Sequence, residues 1–382
     1  MEKVEDKIVI VNQSAGYLTT DIANAYAGKY ARVALIAGKI ETSPRPLTDR
    51  IEVGKIIRYD RRSLGRRILT WIIAFGQILY LLRIRYRGYR IVYTTNPPIA
   101  CWTSLLLGNT YDMVVYDIYP MALRSIGIRD NNLIWKIWER INRTIYRKAN
   151  RIITLSPGMA KALSQYTDQR RIEIIPNWSK ALSVPPVERS ENVFVKANHL
   201  TERFIISCSG NMGYTHTLKA VLHIAMELKD QDKIVFCIFG ESLAIQRLKA
   251  EVKSRKLEDR VRFFPRIRDE YYFETLQAAD LSVVTLAENV SQASVPSRIY
   301  NLMACGCPLL CIGSKESELH RITEKYHCGA CFTPDESREA SRYILDLQAY
   351  PAYQQRLRKA SKKAAEEFTY MNALRYAEPD KY

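Results

Sequence analysis

The sequence predicts an α/β protein with two Rossmann-like domains, and three observations support this fold class. The chain of 382 residues is long enough to form two hydrophobic cores. Short apolar runs of the kind that form buried parallel strands alternate with helical patterns along most of it. A proline-containing stretch with little periodicity, residues 179–200, separates two such series. We therefore expect a first domain over residues 1–180, a linker over 181–200 and a second domain over 201–368.

The charge of the chain is unevenly distributed. Hydrophobic residues make up 47% and charged residues 25%, which is typical of a soluble globular protein. The net charge is +17, and residues 1–190 hold 30 Lys and Arg against 15 Asp and Glu. This excess predicts an anionic partner for the first domain, and a membrane surface, a lipid diphosphate and a nucleic acid all remain open.

Cysteine usage and the start of the chain are typical of a cytoplasmic protein. The eight cysteines are scattered, mostly within apolar runs, as expected for reduced and buried thiols. One C-x-x-C with a neighbouring histidine occurs at residues 327–331, but no fourth ligand stands at a suitable spacing, so we expect no metal site. The acidic first residues lead directly into a strand and carry no secretion pattern.

The first domain opens with the βαβ pattern that is typical of a Rossmann-like unit. An apolar strand at residues 7–12 is followed by a turn that contains Gly16, a helix over 20–30 and a strand at 33–36. The later elements of this domain are predicted strands at residues 90–94, 113–116, 151–156 and 172–176 and predicted helices at about 99–108 and 133–150.

An apolar stretch at residues 68–82 lies inside a strongly basic segment. Residues 45–90 contain twelve Lys and Arg against three Asp and Glu. Fifteen residues interrupted by Gly76 and Gln77 are too short to cross a bilayer comfortably. A buried helix, an interfacial helix and a short membrane anchor remain open. We expect the basic residues within 58–90 to contact an anionic membrane surface.

The helix predicted over residues 133–150 carries two kinds of apolar side chain. Ile134, Ile137, Ile141 and Ile145 recur at helical spacing and predict its buried face. Trp135, Trp138 and Tyr146 predict an aromatic, basic outer surface. No nucleic-acid-binding motif accompanies this surface, so we expect no nucleic-acid partner.

Asp117 is the candidate active-site residue of the first domain. It directly follows the predicted strand at 113–116, and ligands of open parallel sheets bind at the carboxyl ends of strands. A turn aspartate that caps the next helix is the alternative interpretation.

The second domain begins with a glycine turn between a strand and a helix. Its strands are predicted at residues 203–209, 234–239, 261–264, 281–285 and 309–312. The sequence Gly-Asn-Met-Gly at 210–213 follows the first of these, and backbone N–H groups near Gly213 suit a diphosphate. His216 near the helix start is a possible donor to the same anion, and a surface capping residue is its alternative role.

The most informative stretch is residues 291–313, SQASVPSRIYNLMACGCPLLCIG. Pro296 and Ser297 suit a helix start, and residues 298–304 continue as a helix with apolar residues on one face. A helix start offers unpaired N–H groups to an anion, and Arg298 adds a bidentate phosphate donor. The stretch therefore predicts a phosphate site followed by a buried strand.

This stretch resembles the nucleotide-sugar site of the retaining, GT-B-fold glycosyltransferases of family 4. The residues that carry the resemblance are P-S-R-x-Y and M-A-C-G-x-P at 296–308, G-N-x-G at 210–213, D-I-Y-P at 117–120 and I-I-P-N-W at 174–178. The similar branch builds bacterial surface polysaccharides such as O-antigen, capsule and exopolysaccharide. The resemblance implies two Rossmann-like domains that face each other across a cleft, with residues 369–382 packing back on the first domain.

The resemblance also implies an activity. The expected reaction moves a sugar from a nucleotide diphosphate sugar to a membrane-associated acceptor, a saccharide linked to polyprenyl diphosphate, at the inner face of the plasma membrane. No metal or other cofactor is expected. A nucleotide-sugar epimerase of the same fold and a non-catalytic peripheral membrane-binding protein are the alternatives.

The resemblance assigns roles to individual residues. Asp117 and Arg298 are the candidate catalytic residues. Most members carry two glutamates where this chain has Ala293 and Asn301, so contacts to the donor sugar and ribose differ here. The candidate donor-binding residues are Gly16, Asn211, Gly213, His216, Gly240, Ile267, Pro296, Ser297, Arg298 and Asn301.

Overall fold

A computed structural model describes residues 7–41, 44–60, 62–126, 133–181, 183–210 and 218–378. The chain divides into two compact units. The first unit runs up to Lys180 and also contains the segment that begins at Tyr370, and the second unit is Ala181–Thr369.

The strands are short and mostly buried. They are β1 (Lys7–Val11), β2 (Ser14–Ala15), β3 (Arg32–Ala37), β4 (Lys39–Ile40), β5 (Ile51–Lys55), β6 (Arg90–Thr94), β7 (Tyr111–Val115), β8 (Ile152–Thr154), β9 (Ile172–Ile174), β10 (Phe204–Ser209), β11 (Ile234–Phe239), β12 (Val261–Phe264), β13 (Leu281–Thr285), β14 (Leu309–Ile312) and β15 (Gly329–Phe332).

The helices cover the sheets. They are α1 (Tyr17–Ala27), α2 (Leu64–Ile84), α3 (Leu133–Lys148), α4 (Pro157–Leu163), α5 (Val193–Ala197), α6 (Leu218–Glu227), α7 (Leu243–Ser254), α8 (Tyr272–Gln277), α9 (Arg298–Ala304), α10 (Glu318–Tyr326), α11 (Ser337–Ala349), α12 (Pro351–Ala365) and α13 (Met371–Ala377).

The first unit is built on a parallel sheet with the strand order β5-β3-β1-β6-β7-β8-β9. The chain moves outward from β1 to β3 and β5, then crosses back to β6 on the other side of β1. Strand β5 was not predicted, because Glu52, Gly54 and Lys55 interrupt its apolar pattern. It lies at the edge of the sheet, where fewer neighbours demand apolar side chains.

The helix predicted over residues 99–108 is wrong, since Ala100–Leu105 forms a short 3-10 helix instead.

Helix α2 is longer than the apolar stretch that predicted it. Ser63 caps its start, where the side chain accepts a hydrogen bond from the Arg66 N–H at 3.3 Å. One face is buried through Trp71, Ala74 and Ile78, while much of the opposite face is exposed. With 21 residues, α2 is the one helix of the described chain that is long and apolar enough, by length and composition, to cross a membrane. The fifteen-residue estimate of its length was therefore too short.

Helix α3 buries only part of the predicted face. Ile145 is fully buried, as expected, but the first turns of the helix place other side chains in the interior. Trp135 and Trp138 are buried against Leu123, whereas Ile134 and Ile137 are exposed. Both sets recur at helical spacing, and the larger aromatic rings occupy the interior. The expectation of an aromatic outer surface is therefore wrong.

The second unit is built on a parallel sheet with the order β12-β11-β10-β13-β14-β15. The chain fills one side of β10 first, then crosses back to place β13 on the other side. The carboxyl ends of β10 and β13 thus flank a topological switch point, where open α/β sheets bind ligands. Helix α5 lies within the predicted linker, and its Val195 is buried with Ile205 in the core of this unit.

Candidate functional site

Two glycines with positive φ follow the neighbouring strands β10 and β11, beside the switch point of the second unit. Gly210 follows β10 with a φ of +125°, and Gly240 follows β11 with a φ of +129°. Side chains other than hydrogen are strained at such angles. A Cβ on Gly210 would lie 2.9 Å from Cζ of Arg298, and one on Gly240 would lie 3.1 Å from the Gly210 carbonyl oxygen. The two glycines therefore permit close packing at this edge of the sheet.

Arg298 joins the two sides of the switch point. It is the first residue of α9, the helix between β13 and β14, and its Nη1 donates to the carbonyl oxygen of Ser209 at 2.5 Å. Burial of the guanidinium lowers the pKa of Arg298 from its usual value, although arginine remains charged at neutral pH. The structure thus fixes a cation beside Gly210, at the edge where a ligand would bind.

Asn301 lies one helical turn after Arg298. It is 6% exposed, and its Nδ2 donates to the hydroxyl of Tyr272 at 3.4 Å. Burial raises the pKa of that phenol, and the hydrogen bond from Asn301 lowers it. Residues three apart on a helix share a face, so Arg298 and Asn301 are neighbours. Tyr272 was not identified from the sequence, since the tyrosine pair at 271–272 belongs to no recognised motif.

Two of the remaining described donor-site candidates directly precede α9, and a third follows β12. Pro296 is partly buried, and its carbonyl oxygen accepts from the Ile299 N–H at 3.1 Å. Ser297 is exposed and directly precedes α9, as the predicted helix start requires, although its side chain makes no capping hydrogen bond. Ile267 follows β12 and packs on the hydrophobic cluster that contains Val195, Ile205 and Phe239. Three further candidates, which lie outside the described residues, are Asn211, Gly213 and His216.

The first unit contains the other two candidates. Gly16 stands before α1 with an ordinary φ of −83°, so its backbone does not require glycine. Asp117 follows β7, and its N–H and that of Tyr116 both donate to Oγ1 of Thr95 at 3.2 Å. Thr95 directly follows β6. This double contact positions Asp117 at the carboxyl edge of the first sheet, as the sequence predicted.

Aromatic side chains near Asp117 were not predicted as a group. The ring of Tyr119 lies 6.3 Å from that of Trp71 and 5.8 Å from that of Trp138. Tyr59, in the loop after β5, stacks on Trp71 at 6.1 Å. These residues are far apart in the sequence. The feature they share is that each lies shortly after the end of a strand or on the following helix.

The described parts of the chain contain no cluster of side chains that could form a metal centre. No group of three or more His, Cys, Asp or Glu side chains lies close enough there to hold an ion. The Asp230-Gln-Asp232 sequence precedes β11, on the edge of the sheet away from Arg298, and Asp232 pairs with Arg260.

Comparisons with known proteins agree with this architecture. A family profile described as glycosyl transferases group 1 matches residues 189–364. The probable glycosyltransferase WbjE of Pseudomonas aeruginosa is 26% identical over 361 residues, which cover 90% of this chain and 88% of WbjE.

Solved structures of low sequence identity share the fold. WaaG, a glycosyltransferase involved in lipopolysaccharide biosynthesis, aligns with a TM-score of 0.71 at 12% identity, covering 94% of this chain and 95% of WaaG. HepE of Anabaena, crystallised with UDP-glucose, aligns with a TM-score of 0.71 at 16% identity, covering 98% of both chains. The chain therefore has the GT-B fold, and the glycosyl transferases group 1 match over residues 189–364 supports a glycosyltransferase enzyme.

Proposed function

We propose that the protein moves a sugar, with retention of anomeric configuration, from a nucleotide diphosphate sugar to a saccharide carried on polyprenyl diphosphate. The product is a precursor of a bacterial surface polysaccharide. The observation that carries this proposal is the position of Arg298, a cation fixed against the end of β10 at the switch point of the second unit. The UDP and UDP-glucose complexes of the structurally similar HepE support a nucleotide sugar as the donor.

Arg298 supplies the main catalytic interaction. Negative charge develops on the diphosphate as the sugar leaves, and a preorganised cation stabilises that charge without reorganising. Helix α9 has only seven residues, so its dipole contributes little beside the guanidinium. Ser297, Asn211, Gly213 and His216 are the further proposed diphosphate contacts, and Asn301 is proposed to hydrogen-bond the ribose as a neutral group.

Retention places the leaving diphosphate on the same face of the sugar as the acceptor. The leaving phosphate oxygen is proposed to accept the proton of the attacking hydroxyl. Asp117 is the proposed acceptor-side residue, because it stands at the carboxyl edge of the first sheet and offers oxygens that can orient a hydroxyl.

The reaction is proposed to need no metal. Glycosyltransferases that require one hold it with a pair of aspartates beside the diphosphate. Here the Asp230 and Asp232 pair stands at the opposite edge of the sheet, and Arg298 is the charge at the proposed site. A cationic side chain fills the electrostatic role that an ion would otherwise have.

The first unit is proposed to dock on the anionic cytoplasmic leaflet, where a polyprenyl-linked acceptor is held. The short helix Ala100–Leu105 packs against both α2 and α3. These three elements, together with Leu106 directly after the short helix, expose a set of apolar side chains that we call the outer apolar surface: Leu64, Ile68, Leu69, Ile72, Ile73, Tyr80, Ile84, Leu105, Leu106, Leu133, Ile134 and Ile137.

Exposed cations accompany this surface. They include Arg62, Arg66, Arg83, Lys136 and Arg140. Each contributes about 1 kcal/mol near an anionic leaflet before screening. An apolar face bordered by cations is typical of a protein that lies in the membrane interface.

Donor binding is the test of the proposed function. We expect at least one nucleotide diphosphate sugar to raise the unfolding temperature of the protein saturably, and a labelled sugar to move from it to a lipid-linked acceptor. Release of an epimerised nucleotide sugar would instead indicate an epimerase. Absence of saturable binding to any of a broad set of such donors would contradict catalysis by this site.

A further inference from the structure

We infer that Arg67 binds a phosphate group of the polyprenyl-diphosphate acceptor. This inference rests on the proposed function and adds to it a specific residue for the acceptor. It is carried by the way Arg67 is held.

Three contacts fix the Arg67 side chain. Its Nε donates to the hydroxyl of Tyr59 at 2.8 Å. Its guanidinium carbon lies 5.9 Å from the ring centroid of Tyr59 and 5.8 Å from that of Trp71. The two rings stack with an interplanar angle of 18°. Cation–π contacts of this kind orient a guanidinium that would otherwise be mobile.

Arg67 has no counter-ion among the described residues. No carboxylate there lies within ion-pair distance of it, whereas Asp60 pairs with Arg62 at 2.7 Å and with Arg66 at 3.4 Å. Hydrogen bonds from Arg62 hold the pKa of Asp60 well below its usual range, so that carboxylate is ionised and already engaged. An oriented guanidinium without an acid partner can bind a phosphate through two parallel N–H donors.

The position of Arg67 on α2 matches the order of lipid tail, diphosphate and saccharide in a polyprenyl-diphosphate-linked acceptor. Arg67 and Trp71 are four residues apart and share the inward face of the helix, while Ile68 and Ile72 are on the exposed face. Trp71 in turn contacts Tyr119, two residues after Asp117. A lipid tail at the outer apolar surface would therefore have its diphosphate near Arg67 and its saccharide toward Asp117.

The test measures binding of farnesyl diphosphate, a short soluble probe, to the full chain by titration calorimetry. We expect saturable binding that Arg67→Gln weakens about tenfold or more, since a charge-assisted bidentate contact is lost. Arg66→Gln is the matched control, because Arg66 is adjacent, exposed and paired with Asp60, and it should change the affinity less than about twofold. Arg298→Ala should leave this affinity unchanged, which separates the acceptor phosphate from the donor diphosphate.

Further arms separate a specific phosphate site from general surface charge. Both glutamine variants should lose the same fraction of binding to vesicles of phosphatidylglycerol and phosphatidylcholine, because each removes one positive charge. Arg67→Lys keeps the charge but loses the bidentate geometry, and it should still weaken farnesyl diphosphate binding several-fold. Equal affinities of the Arg66→Gln and Arg67→Gln proteins for farnesyl diphosphate would overturn the inference, and so would the absence of saturable binding to the wild type.

Failure of this inference is distinguishable from failure of the proposed function. Arg67→Gln should retain wild-type nucleotide-sugar binding, which also shows that the variant is folded. Suppose that the wild type binds no nucleotide sugar, but binds farnesyl diphosphate and loses this binding on Arg67→Gln substitution. That outcome would contradict only the proposed function. Nucleotide-sugar binding with no role for Arg67 would contradict only this inference.

Discussion

Arg45 donates from Nε and Nη2 to both carboxylate oxygens of Asp21, and this buried ion pair anchors two distant segments of the first unit. Trp178 donates from its indole nitrogen to the same carboxylate at 2.8 Å. Arg45 also donates to the carbonyl oxygen of Lys180 at 3.4 Å and lies over the ring of Tyr370 at 5.0 Å. The pair thus holds the last residue before the unit boundary and the first residue after the chain returns.

We predict that Arg45→Met lowers the free energy of unfolding of the first unit by about 3–5 kcal/mol, because it leaves the fully buried Asp21 carboxylate without its cation. Urea denaturation followed by tryptophan fluorescence, which includes the buried Trp178, measures this change. Adding Asp21→Asn to Arg45→Met should recover part of the loss, since the uncompensated charge is then removed.

The matched control for this prediction is Arg62→Met. Arg62 makes a similar ion pair with Asp60, but its side chain is exposed, so solvent screens the interaction. We expect no resolvable change in the unfolding transition. Equal losses from Arg45→Met and Arg62→Met would show that the buried pair has no special anchoring role.

The second prediction concerns the donor site. Arg298→Ala should reduce kcat/KM for the donor by the equivalent of about 2–4 kcal/mol, as for other preorganised donors to a developing charge. Gly210→Ala should reduce it too, because its Cβ would lie 2.9 Å from the Arg298 guanidinium at a φ that disfavours alanine. Steady-state kinetics with saturating acceptor measure both effects.

Gly108→Ala provides the control for the glycine substitution. A Cβ at Gly108 meets no atom within 4 Å, and Gly108 lies in the first unit. This variant should retain wild-type kcat/KM. An Arg298→Ala enzyme within about threefold of wild type would show that the guanidinium does not stabilise the leaving diphosphate.

The third prediction is that sugar transfer persists in excess EDTA. The proposed electrostatic partner of the diphosphate is Arg298, so removal of divalent cations should leave the initial rate unchanged. Initial rates are compared in EDTA, in magnesium and in manganese. A rate that collapses in EDTA and returns with manganese would contradict the metal-independent mechanism.

The sequence was sufficient to predict most buried strands but not the edge strand β5 or the buried face of the first turns of α3. Strands β1 and β11 contain continuous apolar runs, which parallel strands covered on both faces require. The mixed sequence of β5 lacks that signal. In α3, both the isoleucines and the tryptophans recur at helical spacing, and only packing against Leu123 decides which face is buried.

The candidate site was predictable where a local motif carries it. Arg298 and Asn301 follow from one short stretch, and both occur on one face of α9. The contact between Arg298 and Ser209 could not be predicted, because it depends on the crossing that places β13 beside β10. The contacts of Arg67 likewise depend on the loop after the unpredicted strand β5, which carries Tyr59.

The last prediction concerns the outer apolar surface on α2. Leu69 and Ile72 are 56% and 59% exposed, and α2 carries exposed arginines at both ends. Burial of such side chains in the interface contributes about 1.5–3 kcal/mol each at most, so the double variant Leu69→Gln and Ile72→Gln should sharply reduce sedimentation with anionic vesicles. Raising the salt concentration should weaken wild-type binding, because screening shortens the reach of the arginine charges. Neutral vesicles should bind poorly. The control is Leu243→Gln, which removes a side chain that is 62% exposed in the second unit and should leave vesicle binding unchanged. If the double variant and Leu243→Gln sediment equally well, α2 does not insert its apolar face into the membrane.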